Sequence, residues 1–199
     1  MSYVLDYCVV SFFFLLTITV YYFWQSRVKT IRYRLYGILL ILGLCSIVLD
    51  FLMGYVDAYA DSCPLWLLYL GNILFLTCVQ ASGPVFLFYT LVITGKYNRL
   101  SSFTRFLVHI PFATILLLLF LSPFGTIGIF YHDESHKYLN GATHAALYAS
   151  IALYLLMSFF LVLFNRRTIS RRKRMTIVSS QVKCTLFRQQ MHTFSAPVF

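Results

Sequence analysis

Charge is scarce in this 199-residue chain: Asp, Glu, Lys and Arg together make up 11% of it. A soluble domain carries about a quarter charged residues, so an ordinary water-soluble fold is excluded. Intrinsic disorder and coiled coil go with it, since the first needs high charge with low hydrophobicity and the second is rich in Glu and Lys. Acids are the rarer sign, six against sixteen Lys and Arg. In place of charge stand 60% hydrophobic and 19% aromatic residues, with a mean hydropathy of +0.78. Such a composition fits a bilayer as solvent.

Five long apolar runs follow one another, roughly Val4 to Trp24, Leu35 to Val56, Leu65 to Ile93, Phe106 to Phe124 and His144 to Phe164. A hydrocarbon core about 30 Å thick needs about 20 helical residues, and only helices or closed barrels satisfy their backbone there. The runs are continuous rather than alternating, which removes the barrel. The expected fold is therefore all-α: an integral membrane helical bundle of five transmembrane helices over residues 1–165, followed by a basic tail, 166–199.

The cations alternate in side. Arg27, Lys29, Arg32 and Arg34 follow the first run, Lys96, Arg99 and Arg105 the third, and Arg166, Arg167, Arg171, Arg172, Lys173 and Arg174 the fifth, with Lys183 and Arg188 beyond. Fifteen of the sixteen Lys and Arg thus share one side, while Lys137 stands on the other with Asp6, Asp57, Asp61, Asp133 and Glu134. The positive-inside rule places the N-terminus outside and the C-terminus in the cytoplasm of a multi-pass cell (plasma) membrane protein. The excess charge then reads as attraction to anionic lipids at the cytoplasmic face, worth about 1 kcal/mol per residue near the surface. Nucleic acid is not an expected partner, because the inner loops are short and nothing folded is available to carry it.

Met1 to Asp6 has an acid and no basic n-region, so no cleaved signal peptide is expected. Phe23 and Trp24, and Trp66 and Tyr69, fit interfacial aromatic anchors. Of the five cysteines, only Cys8 and Cys63 fall near the oxidising face. A bridge between them requires adjacent spans, which nothing in the sequence indicates; unpaired thiols are the plainer expectation.

Polar groups inside a span are costly and usually face the bundle interior, so they are the first candidates for function. Asp50 is the only charged residue well inside a run, Asp6 standing at the very start of the first; it suits either a proton or cation contact or a hydrogen bond to a neighbouring helix. Asn72 and Gln80, eight apart, share one helical face. Pro84 lacks an amide donor and crowds the carbonyl four residues back, so a kink is expected between Gln80 and Pro84, in a helix that lines a pocket or simply bonds its neighbours. Pro111 in the first turns of the fourth run carries little meaning, and His109 beside it reads as a snorkelling or capping group.

The connector from Ser122 to Gly141 is the most varied stretch. His132 and His136 flank Asp133 and Glu134, and Tyr138 follows. Two histidines four apart would share a helix face as zinc ligands can. Gly125, Gly128 and Gly141 argue for a loop instead, and the expected form is an exposed polar connector without a metal. Beyond the fifth run, Met175, Val178, Val182 and Leu186 recur at helical spacing, consistent with a short amphipathic helix on the inner leaflet.

With these residues in view, the pattern resembles the N-terminal multi-span sensor region of bacterial signalling proteins that end in a GGDEF diguanylate cyclase or histidine kinase domain. Four segments carry the likeness: Tyr69-Leu-Gly-Asn72, Ser122-Pro-Phe-Gly-Thr-Ile-Gly-Ile-Phe-Tyr131, Tyr138-Leu-Asn-Gly141, and the Arg/Lys exit after the fifth run. It covers about Met1 to Met175. Such regions usually have seven or eight spans and then a soluble output domain. Here apolar character ends after Met175 and no Gly-Gly dipeptide occurs, so the resemblance implies an input module truncated before its output.

The expected function is a non-enzymatic sensory or signal-transduction input module, with a small transporter or channel subunit as the alternative. Candidate ligand-binding residues are Asp50, Asn72, Gln80, His132, Asp133, Glu134, His136 and Tyr138. No cofactor and no catalytic residue is expected, since no His, Asp or Glu cluster faces the cytoplasm. Expected partners are the lipid bilayer, an unidentified small molecule, and either a partner signalling protein or a second copy in a homodimer.

Overall fold

The computed structural model describes residues 2–25, 30–58, 63–124, 128–132 and 138–165. Five helices follow the apolar runs: α1 (Ser2–Gln25), α2 (Ile31–Ala58), α3 (Leu65–Ile93), α4 (Ser102–Leu121) and α5 (His144–Phe164). Two short strands, β1 (Phe130–His132) and β2 (Tyr138–Asn140), lie between α4 and α5. The chain is mostly helical, and α2 to α5 are long and apolar enough to cross a bilayer. The apolar part of α1 described with its side chains, Val9–Gln25, is shorter than such a span.

Hydropathy alone marks where apolar residues end, not where helices end. The α2 helix begins at Ile31 and carries Arg32 and Arg34 in its first turn, where long cationic side chains reach the interface while their stems stay apolar. The α4 helix begins before Phe106, because Ser101 caps it by accepting the Thr104 amide at 3.2 Å, satisfying a donor that the first turn leaves open. At the far end of α3, Gly95 takes φ of 71°. Its amide donates to Val92 O at 3.2 Å and the Lys96 amide to Leu91 O at 3.0 Å, the pair of bonds that terminates a helix on a left-handed residue. The chain then turns through Tyr97–Arg99. There the Arg105 guanidinium lies 5.2 Å from the Tyr97 ring centroid and donates to Leu100 O at 3.1 Å.

The central helix is α3. Within its most apolar stretch 44% of positions are buried, against 22–28% in α2, α4 and α5. It packs against α2, α5 and α4, while α1 leans on α2. At the end of α1, the Tyr22 hydroxyl donates to the Tyr33 carbonyl, and Tyr22, Tyr36 and Tyr89 form a chain of ring contacts from α1 across α2 to α3. The outward faces carry large apolar side chains, among them Phe13, Phe106, Leu117 and Phe160. Apolar surface on this scale suits contact with lipid. Cys45, Cys63 and Cys78 are free thiols; the side chain of Cys8 falls outside the described residues.

The helices carry one addition among the described residues, β1 and β2, which pair antiparallel with Phe130 opposite Asn140 and His132 opposite Tyr138. One expectation needs correction: the connector is not simply exposed, because Ile129 and Phe130 are fully buried. They join Phe75, Leu76, Ile115, Leu119 and Leu147 in one apolar cluster between α3, α4 and α5. Phe130 and His132 share one face of the strand and Phe130 packs inward from it, which a hydropathy reading of so short a segment misses.

Candidate functional site

The hairpin closes because three small groups allow it. The Ser122 hydroxyl, at the end of α4, donates to Leu118 O at 3.1 Å and accepts the Ile129 amide at 3.0 Å. The Gly141 amide extends the hairpin by donating to Ile129 O at 2.8 Å. A Cβ on Gly141 would overlap the Gly128 carbonyl, so this close backbone approach requires glycine.

Four rings then form a cap. Tyr69 of α3 and Tyr138 of β2 each stack with Phe130, at centroid distances of 5.6 and 5.3 Å. The His132 imidazole sits edge-on to the same two tyrosines, at 4.9 and 6.0 Å. These are the preferred arrangements of rings with opposed face and edge charge. The Tyr69 hydroxyl also accepts the His132 amide at 3.1 Å, tying the hairpin to α3. On α5, the His144 ring lies between Ile129 O and the Tyr148 hydroxyl, 3.2 Å from each.

Beneath the cap a polar seam runs between α3 and α5. Gln80 is fully buried; its Nε2 donates to Leu147 O at 2.9 Å and its Oε1 accepts from Ser150 at 2.9 Å. Farther along, the Tyr154 ring rests on Gly83, so the two helices run in the same direction. Leu147 belongs to both regions. Its carbonyl takes the Gln80 bond, while its side chain packs in the cluster that holds Ile129 and Phe130.

Of the sequence-derived candidates, His132 and Tyr138 are brought together in the cap and Gln80 lies in the seam. Asn72 is buried but turns back, donating to Leu68 O of its own helix at 3.0 Å. Asp50 is half-buried on α2, on the face shared by the buried Ile47 and Met53. Asp133, Glu134 and His136 fall outside the described residues. The site also includes residues that sequence reading passed over. Tyr69, expected as an interfacial anchor, turns inward onto the hairpin, whereas Trp66 is 65% exposed. Pro111, given little meaning, lies in the turn of α4 where the Tyr154 hydroxyl bonds Val108 O and the Phe112 amide. The clue to the seam was the spacing Ser150, Tyr154, Ser158, a polar residue every fourth position in an otherwise apolar run.

Chemically the cap offers ring faces, an imidazole and hydroxyls, suited to stacking and hydrogen bonding. Among the described residues, no group of three His, Cys, Asp or Glu side chains is placed to hold a metal ion. Set against protein-family models, curated proteins and solved structures, the chain matches none.

Proposed function

We propose that this protein is a membrane-embedded sensory input module, without catalytic activity, in which disturbance of the outer aromatic cap biases how α5 packs on α3. The observation behind this reading is the double role of Leu147, whose side chain packs in the cluster that holds the hairpin residues Ile129 and Phe130 and whose carbonyl is held by Gln80. A receptor needs two packings that differ in affinity for what it senses, and only that difference can shift their balance. The small molecule sensed would contact the cap through His132, Tyr138 and Tyr69. In this reading α1 is a fifth span, the N-terminus lies outside, and the Arg/Lys exit from α5 hands the signal to a partner chain or a second copy.

The test is a graft. Residues 1–175 are fused ahead of a soluble diguanylate cyclase domain, and cyclase output is compared for the native cap and for Tyr69→Phe and Gly141→Ala caps. The sensory reading expects output to change several-fold with the cap. Output indifferent to every cap and seam substitution would count against it. Proton or cation flux in proteoliposomes above that of empty vesicles would favour the alternative, a small transporter or channel subunit with half-buried Asp50 as its contact.

A further inference from the structure

Tyr154 is 1% exposed, and its hydroxyl stands between two backbone groups of α4. It donates to Val108 O at 2.7 Å and accepts the Phe112 amide at 3.2 Å. A carbonyl and an amide four residues apart are the pair that closes one rung of an α-helix. Pro111 lies within that same turn, with no amide of its own and a ring that crowds the Leu107 carbonyl. Helices bend where proline stands or where a side chain enters the hydrogen-bond ladder, and Pro111 and the two bonds of the Tyr154 hydroxyl fall within one turn of α4. The ring of Tyr154 meanwhile lies against α3, where a Cβ on Gly83 would come within 2.8 Å of it. The next residue, Pro84, is the proline inside α3. One side chain of α5 therefore touches the proline-bearing turns of two other helices.

We infer that Tyr154 is a removable wedge, and that α4 has two settings governed by it. With the hydroxyl inserted, Val108 O and the Phe112 amide both bond to Tyr154 and α4 is bent. With it withdrawn, those two groups close on each other and α4 straightens, swinging its inner half, from Ser102 to Ile110, away from α5. Both backbone groups keep a partner in either setting, which is what makes the element bistable rather than merely deformable. The cost of withdrawal falls on the tyrosine hydroxyl, so the inserted setting is the resting one. Leu147 and Ser150 lie above Tyr154 on the same face of α5, held by Gln80, so a shift of α5 beneath the cap carries the wedge with it. The wedge is a property of the bundle; joined to the sensory reading, it is the moving part.

The experiment uses the full chain in lipid nanodiscs, with the native cysteines replaced and spin labels at Phe103→Cys and Ile31→Cys. Both sites are exposed, at 73% and 54%. Nine residues of α4 form a lever of roughly 13 Å, and relief of a bend of about 20° moves its end by roughly 5 Å. Tyr154→Phe keeps the ring on Gly83 and removes both bonds to α4; it is expected to shift the mean label distance by about 3 to 5 Å. Pro111→Ala relieves the same turn with the hydroxyl in place, and is expected to shift the distance in the same direction. Leu153→Ala, next to Tyr154 in sequence but 44% exposed and outside the seam, leaves the wedge intact and is expected to shift nothing. An unchanged distance in Tyr154→Phe, or an equal shift in Leu153→Ala, would overturn the inference. The distances are read with no ligand and no output domain, so this result and that of the cyclase graft can fail separately.

Discussion

Ser150 donates its hydroxyl proton to Gln80 Oε1 at 2.9 Å across the α3–α5 seam, and Gln80 returns a bond to the carbonyl of Leu147, one turn earlier on α5. The pair locks the register of two helices that run in the same direction. In an apolar medium neither side chain has water to fall back on.

Removing one side of this pair should cost more than replacing the other. Ser150→Ala leaves Gln80 Oε1 buried without that donor, and a loss of about 1 kcal/mol is expected, within the range measured for hydrogen bonds between membrane helices. Gln80→Leu removes the buried polar group together with its bonds and is expected to cost less. Unfolding equilibria of both variants in mixed micelles provide the check, and equal or reversed costs would contradict the seam as described.

The hairpin depends on Gly141. Gly141→Ala forces a methyl into the Gly128 carbonyl, an overpacking expected to destabilise the cap by about 1 to 3 kcal/mol. Hydrogen exchange at the amides of Ile129 and His132 should then accelerate, while α3 amides beyond Gln80 keep their native protection. Unchanged exchange in the hairpin would mean that the close approach is relieved elsewhere.

Tyr69 is expected to act through its hydroxyl as well as its ring. Tyr69→Phe keeps the stack on Phe130 and loses the bond from the His132 amide. The expected cost is about 0.5 to 1.5 kcal/mol, seen as faster exchange of that one amide. Tyr69→Leu, which also loses the stack, should cost more.

Topology has its own test. On a background lacking the native cysteines, Ser135→Cys should react with an impermeant maleimide on intact cells, and Ser170→Cys only after permeabilisation. The reverse pattern would overturn the orientation drawn from the cations.

Much of the helical frame was legible in the sequence. The limits of α3 and α5 match their apolar runs from Leu65 to Ile93 and from His144 to Phe164, because both helices end where turn or capping residues coincide with the loss of apolar character. The start of α4 was not, since Ser101 caps a first turn containing Arg105, which a hydropathy reading assigns to a loop. Gln80 stood out because an amide side chain deep in an apolar run has to find a partner. Its partners did not stand out: a serine and a backbone carbonyl leave little mark in a sequence. The cap was the least legible part. Its strands are three residues each, too short for alternation to register, and its contact with Tyr69 spans more than sixty residues.

The central claim is that the aromatic cap and the buried seam form one mechanical unit joined at Leu147. A double-mutant cycle between Tyr69→Phe in the cap and Ser150→Ala in the seam, read from unfolding in lipid, tests it most directly. Independent sites add to within about 0.3 to 0.5 kcal/mol. The account expects a coupling energy clearly above that, about 1 kcal/mol; additive losses would show that the cap and the seam are separate and contradict the claim.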